Sequence, residues 1–558
     1  MGRPRQTPSA YATPARRAFF KRSGSAALAM AAGLPALGLQ ASSSDTLFAH
    51  GVASGDPLSD RVILWTRISP TRLDRPARGT WVIARDTALQ DIVRSGSFAA
   101  KPEQDFTVKI DATGLQPGQT YYYQFNHAGS ASPIGRTRTL PVGAVDRLRC
   151  AVVSCSNLAA GYFNAYARVA ERADLDLVLH LGDYLYEYGS GQYGSVRPCE
   201  PSTELLSLSD YRQRHAQYKR DADAQAMHRQ HPVVAIWDDH EIANDAWQEG
   251  AQNHTEGLKG PWSARKAAAL QAYLEWMPVR QTDRTDPSKS QRSLVFGDLV
   301  SLILLEGRLS ARSQQLEATI PTLLGPTFAQ TGGFADPART LLGASQEAWL
   351  TRQLRRPAGR WKLLGQGVMF AQLKAVGDTL ANGGGLFLNS DQWDGYQPAR
   401  DRLYKVIRGQ DGGKPVRNLV VLTGDIHSSW AADLCQDPNN PDLSSGGYDP
   451  SSGQGSVAVE FVATSVTSPG LDDPQGTTTA YLRSQNPHFK YVNLEQRGYM
   501  LLDITHSRVV CEWWHVATVA QADARQNMAV AFQVRDGMAH LEAASPSAAR
   551  INPPALAP

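Results

Sequence analysis

Leu175-Asp176-Leu177-Val178-Leu179-His180-Leu181-Gly182-Asp183-Tyr184-Leu185-Tyr186-Glu187 begins as an apolar run, stops at a glycine and then delivers an acid. So short a run reads as a strand buried on both faces, and the glycine lets the backbone turn at its end. Upstream, Cys150 to Ser154 is apolar too, and Phe163 to Ala173 between the two has helical periodicity. Strand, helix and strand in that order make a βαβ opening. Similar runs recur at Pro232 to Trp237, Leu299 to Leu305, Trp361 to Val368, Leu419 to Thr423 and Val457 to Val462. Residues 146–520 therefore read as one layered α/β domain, closed by a hairpin of Tyr499 to Ile504 and Arg508 to Trp514 with His506-Ser507 at its turn. Open α/β sheets bind ligands beyond the carboxyl ends of their strands, which is where Asp183 falls.

Between residues 45 and 142 the pattern differs. Short alternating runs such as Val62 to Arg67 and Phe106 to Ile110 are separated by Gly, Pro and Asp, and Leu115 to Tyr123 sets a turn before an aromatic strand. That spacing predicts an all-β sandwich of about 100 residues, fibronectin or Ig-like, with a tyrosine corner. Two domains suit a chain of 558 residues. With 42% hydrophobic and 20% charged residues the composition is that of a folded globular protein. A net charge of +3 spread along the chain carries no nucleic-acid-binding signature. Residues 521–558 read as a C-terminal extension, disordered in its Ala- and Pro-rich part after Ala543.

Arg16-Arg17-Ala18-Phe19-Phe20-Lys21 precedes an uncharged stretch from Ser25 to Leu39 rich in Ala, Gly and Leu. This is an export signal spanning residues 1–41, too short for the ~18–20 apolar residues of a membrane span. The paired arginines resemble a bacterial twin-arginine signal, whose export machinery carries folded proteins, often with metal bound. The mature chain is then expected to start near residue 42 and to be periplasmic or secreted, in an oxidising compartment. There, two bridges among Cys150, Cys155, Cys199, Cys435 and Cys511 would leave one cysteine over, and Cys155 is the candidate.

Four strands end in residues that can carry chemistry. Ser154-Cys155-Ser156-Asn157 follows the first; alone, it reads equally well as a buried cysteine. Gly182-Asp183-Tyr184-Leu185-Tyr186-Glu187 follows the second. Trp237-Asp238-Asp239-His240-Glu241-Ile242-Ala243-Asn244-Asp245-Ala246-Trp247 packs four carboxylates, a histidine and an amide into one segment, and like charges so close must be solvated, paired or held by cations. Leu422-Thr423-Gly424-Asp425-Ile426-His427-Ser428-Ser429-Trp430 can present an acid and an imidazole to one small volume. Their joint occurrence points to a multi-metal site that orients an oxyanion and makes hydroxide at neutral pH.

In this order the motifs resemble the PhoD-like alkaline phosphatases of the calcineurin-like metallophosphatase superfamily. The resemblance extends to Trp361 to Phe370, Asp391-Gln392-Trp393-Asp394-Gly395-Tyr396, Thr467-Ser468-Pro469-Gly470 and Trp513-Trp514. It implies a four-layer α/β/β/α catalytic domain holding ferric iron (Fe3+) and calcium (Ca2+). Carried over, Cys155, Asp183, Tyr186 and His427 resemble the iron set, with Asp183 bridging to calcium, Asp239 and Asp425 as the calcium acids and Asn244 completing the shell. Thiolate and phenolate favour a ferric ion, whereas carboxylate and amide oxygens suit a hard cation. His240 is placed by the resemblance to help the leaving group or hold the phosphate. Where the family leads one to expect Asp-Thr-Arg, this chain has Glu306-Gly307-Arg308, so Arg308 would meet phosphate with different support.

The implied activity is hydrolysis of phosphate monoesters by in-line attack of a metal-bridging oxygen nucleophile, without a phosphoenzyme. A phosphodiesterase, including one that cleaves phospholipid head groups, uses the same motifs. A metal-binding surface protein would also bind ions but turn over no ester.

Overall fold

A computed structural model describes residues 46–378 and 384–558. The export signal expected at residues 1–41 lies outside them. Two large sheets organise the fold. At the centre of the first are three parallel strands, Arg147–Val153, Leu177–Leu181 and Pro232–Ile236. The hairpin that the sequence predicts, Gly498–Thr505 and Arg508–Val516, continues it on one side and pairs antiparallel with Arg147–Val153. The second sheet has four parallel strands, Val300–Leu304, Trp361–Gln366, Leu419–Thr423 and Ala458–Val462, between antiparallel neighbours.

Alternation along these strands divides their side chains between cores. Val152, Leu179 and Val234 meet Leu302, Leu363, Leu422 and Phe461 in a core between the two sheets. Val153, Val178 and Val233 point the other way, onto Tyr211, Met227 and Tyr273 of the helices Leu208–Lys219, Ala222–Gln230 and Trp262–Trp276. On the far side Ile303, Leu364 and Val421 meet Leu350, Leu403 and Ile407 of the helices Gly343–Arg355 and Gln397–Arg408. Strands buried on both faces explain why the sequence shows unbroken apolar runs there. Truncating a leucine of the middle core to alanine costs about 2–5 kcal/mol.

The amino-terminal region, which the sequence reads as an all-β sandwich, shares one of its sheets with the rest of the chain. It has its own core, in which Leu64 and Val108 pack against Trp81, Ile83, Tyr123 and Phe125. Its tyrosine corner is present, Gln116 N donating to Tyr121 Oη at 2.8 Å. Yet Val52–Gly55, Arg61–Arg67 and Thr107–Thr113 belong to the first large sheet, joined to it where Val52–Gly55 runs parallel to Pro232–Ile236. An open edge on Pro232–Ile236 would leave backbone groups unpaired. Alternation states which face of a strand is buried, not which edge it joins.

Two further expectations are corrected. The C-terminal extension is ordered and structural: Gln526–Arg535 pairs with Arg508–Val516, and the residues after Ala543 return across the sheet. There Arg550 pairs with Asp176, Ala557 N donates to Gln230 Oε1 at 2.8 Å, and Tyr122 Oη donates to Ala555 O at 2.6 Å. Backbone polar groups hold this strap, so its lack of apolar periodicity does not predict its order. No disulfide forms either; all five cysteines are buried free thiols. Cys150 and Cys511 are both in register with Leu502, on opposite sides of one strand. Two inter-strand spacings put them roughly 9–10 Å apart, too far to bridge.

Candidate metal centre

Four of the parallel strands bring the candidate ligands to one place. Arg147–Val153 delivers Cys155, Leu177–Leu181 delivers Asp183, Pro232–Ile236 delivers Asp238 and Asp239, and Leu419–Thr423 delivers Asp425 and His427. The turns are tight. Cys155, Asp183, Asp425 and His427 sit at φ of 58°, 55°, 60° and 57°, a left-handed conformation that costs a side-chain-bearing residue energy. Such strain at four candidate ligands marks a site held for function. Gly182, at φ 99°, is required as glycine, because a Cβ there would come within 2.5 Å of Asp238 Cβ.

Donor atoms of Cys155, Asp183 and His427 lie within 4.8 Å of one another, as do those of Asp183, Asp239 and His240, and those of Asp238, Asp239 and Asp425. Tyr186 joins the first group, its hydroxyl 3.0 Å from Asp183 Oδ2 and 3.0 Å from His427 Nε2. Ser468 Oγ donates to the same phenol oxygen at 2.7 Å. Asp183 thus belongs to two groups and Asp239 to the last two, the arrangement of neighbouring cation sites with shared acids. Asn244 is held by its neighbours, its backbone N donating to Glu187 Oε1 at 2.8 Å and its Nδ2 to Gln252 Oε1 at 2.6 Å.

Without cations this is an electrostatically frustrated site. Burial, reinforced by Asp183, pushes the Cys155 thiol up, and burial with Asp183 and Cys155 does the same to Tyr186. Burial raises Asp183 as well. Burial opposes ionisation of Asp239, but Arg308 and His240 hold its carboxyl below the usual range. His427 is lowered to about 3, chiefly by burial, which leaves a neutral imidazole able to ligate. Burial would lower His240 also, but Asp239, Glu187 and Asp183 outweigh it and raise it well above the ordinary value. Asp238 Oδ2 is buried without a hydrogen-bond partner and Asp239 Oδ1 makes none but lies 3.3 Å from Arg308 Nη2, and carboxylate oxygens in that condition fit a cation.

Arg308 differs from the expectation that it meets phosphate. Its side chain has no exposure and its nitrogens are engaged: Nε with Asp238, Nη1 with both oxygens of Asp391 at 2.9 Å, and Nη2 with Asp425 at 3.0 Å. A guanidinium so enclosed balances the charge of the carboxylates instead of facing a ligand. Glu306 supports its loop, accepting from Arg308 N at 2.9 Å, Leu309 N at 2.7 Å and Ser310 N at 2.8 Å.

Several residues received no role from the sequence. Glu241 accepts from Asp183 N at 3.0 Å, Tyr184 N at 2.6 Å and Asp238 N at 2.9 Å, and so ties two ligand-bearing turns together. Glu187 Oε2 holds His240 Nδ1 at 2.8 Å. Asp391 and Gln392 reach Arg308 and Asp425 from a separate loop. The density of acids between Trp237 and Trp247 and the Asp391-Gln392 motif were signals, but neither states a partner.

A mixed thiol, phenol, carboxyl and imidazole set at the strand ends of two facing sheets defines the class: a candidate metallohydrolase. The family model for PhoD-like phosphatase matches residues 150–513, and that for the PhoD-like phosphatase N-terminal domain matches residues 31–141. Alkaline phosphatase D of Bacillus subtilis (strain 168) is 36% identical over 473 residues, which are 82% of this chain and 76% of that protein. A solved structure described as "Structure of PhoD" aligns with a TM-score of 0.79 at 34% identity, covering 91% of this chain and 94% of its own. The chain belongs to the PhoD-like phosphatase family, whose members are hydrolases acting on phosphate esters.

Proposed function

We propose that the protein is an exported alkaline phosphatase that hydrolyses phosphate monoesters with ferric iron and calcium. The convergence of Cys155, Asp183, Tyr186 and His427 beside the carboxylates of Asp239 and Asp425 carries this reading. Thiolate and phenolate are anionic donors suited to a ferric ion, and Asp183, Asp239 and Asp425 offer the hard oxygens that calcium takes. The three successive cores, helix to sheet, sheet to sheet and sheet to helix, support a four-layer α/β/β/α catalytic domain. The separate amino-terminal core and tyrosine corner support an Ig-like sandwich built onto it. Arg16-Arg17 and the uncharged stretch after them support twin-arginine export to the periplasm or beyond.

When bound, the ions supply Lewis acidity, generating a nucleophile from water and neutralising charge on the phosphoryl oxygens. The remaining work falls to this chain's residues. Glu187 fixes His240 through Nδ1, leaving Nε2 as the atom that carries a proton toward the leaving-group oxygen. Arg308 keeps Asp238, Asp239, Asp391 and Asp425 together, so the acids are preorganised. Glu241 fixes the two acidic turns against each other.

The test is hydrolysis of p-nitrophenyl phosphate and bis(p-nitrophenyl) phosphate by purified protein, stripped of metal and then reconstituted with iron, calcium or both. Turnover of the monoester above the diester, needing both ions, is the expected result. Fully reconstituted protein that hydrolyses neither ester would exclude the reading.

A further inference from the structure

The turn from Gly189 to Gly194 places one aromatic residue over the metal site, the Tyr193 hydroxyl lying 3.3 Å from His427 Nδ1. The Tyr193 ring centroid lies 5.7 Å from that of Tyr186, 5.4 Å from Tyr188, and 6.3 Å from both His240 and His427. Its plane is within 19° of the His240 ring. Tyr188 also approaches His240, at 5.6 Å. Both tyrosines are half-buried, whereas Ser190, Gly191 and Gln192 at the tip of the turn are exposed.

This placement is fixed from the side of the Cys155 motif. Asn157 Nδ2 donates to Tyr193 O at 2.6 Å, and Val196 N donates to Ala159 O at 2.8 Å. Gly194, at φ 130°, is pressed so closely on Ala159 and Ala160 that a Cβ would fall 2.6 Å from their backbone. A loop anchored at and just after one aromatic residue fixes where that residue sits.

We propose that Tyr193, with Tyr188, is the wall against which the organic moiety of the phosphate ester packs, and that it selects esters of planar aromatic alcohols. The proposal rests on the phosphatase reading. The Tyr193 ring stands beside both His240 and His427, and Tyr188 beside His240, so an ester whose phosphoryl group lies at the metal centre brings its organic moiety to these two rings. A flat ring gains from such faces what a small aliphatic group cannot.

The experiment compares phenyl phosphate with glycerol 2-phosphate as substrates of the full, metal-loaded protein and its Tyr193→Ala and Tyr193→Phe variants, with inorganic phosphate as competitive inhibitor. Differences in leaving-group acidity cancel in each variant-to-wild-type ratio. Tyr193→Ala is expected to lower kcat/KM for phenyl phosphate about 3- to 10-fold, mainly through KM, as one aromatic pair is worth. Relative to Tyr193→Phe, which has already lost the hydroxyl contact to His427, glycerol 2-phosphate should change less than twofold and inhibition by phosphate should not shift. Tyr193→Phe should keep the wild-type ratio between the two esters. Parallel losses on both esters, or no change on either, would overturn the wall. If the wild type hydrolyses neither ester, the phosphatase reading fails and the proposal falls with it.

Discussion

Replacing Glu241 by glutamine changes one atom and tests whether the two acidic turns are held as the structure has them. Glu241 Oε2 accepts from Asp183 N and Asp238 N, and Oε1 accepts from Tyr184 N. In the less damaging orientation the amide oxygen takes the Oε2 position, and the new NH2 faces the Tyr184 N–H. One buried N–H is then stranded, at about 1–3 kcal/mol, and two bonds lose their charge assistance at about 1 kcal/mol each. The sum is about 3–5 kcal/mol; the other orientation strands two donors and costs more. Asp183 already sits at φ 55°, so its turn has no slack to absorb the change. Denaturant titration of the metal-free protein reads the stability loss, and metal analysis after reconstitution reads the site. The expected result is both a loss of this size and reduced metal content. A Glu241→Gln variant within 1 kcal/mol of wild type that still binds its full metal complement would refute the assignment.

Cys155→Ala is expected to lose iron and activity together while the other four thiols remain titratable; mass mapping that finds Cys155 in a disulfide in active protein would contradict its role. Tyr186→Phe in iron-loaded protein should lose the visible charge-transfer band of a ferric phenolate along with turnover, and an unchanged spectrum would remove Tyr186 from the ligand set. Removing residues 545–558 deletes the Arg550–Asp176 pair and the Gln230–Ala557 bonds, so the thermal midpoint should fall, with a stability loss of about 2–4 kcal/mol. Turnover should survive this truncation, because the strap crosses the amino ends of the parallel strands, opposite the metal centre.

The sequence alone determined the elements that carry the site. An apolar run ending in Gly182-Asp183, in Trp237-Asp238-Asp239 or in Gly424-Asp425 is a local pattern, and physics local to the chain makes each one a strand with an acid at its carboxyl end. Asp183, Asp239 and Asp425 were legible as strand-end acids for that reason, as was the closing hairpin, whereas Cys155, Tyr186 and His427 were named as ligands through the family resemblance.

Only the tertiary structure decided what those acids touch. Asp391 meets Arg308 across 83 residues of chain, and Glu187 meets His240 across 53, distances over which no periodicity carries information. Pairing of Val52–Gly55 with Pro232–Ile236, which merges the amino-terminal region into the catalytic sheet, is likewise a choice between edges that look alike in sequence. The same holds for Arg308, whose guanidinium could answer a phosphate or a carboxylate. Burial among four carboxylates, a property of the folded arrangement alone, makes it a charge-balancing residue.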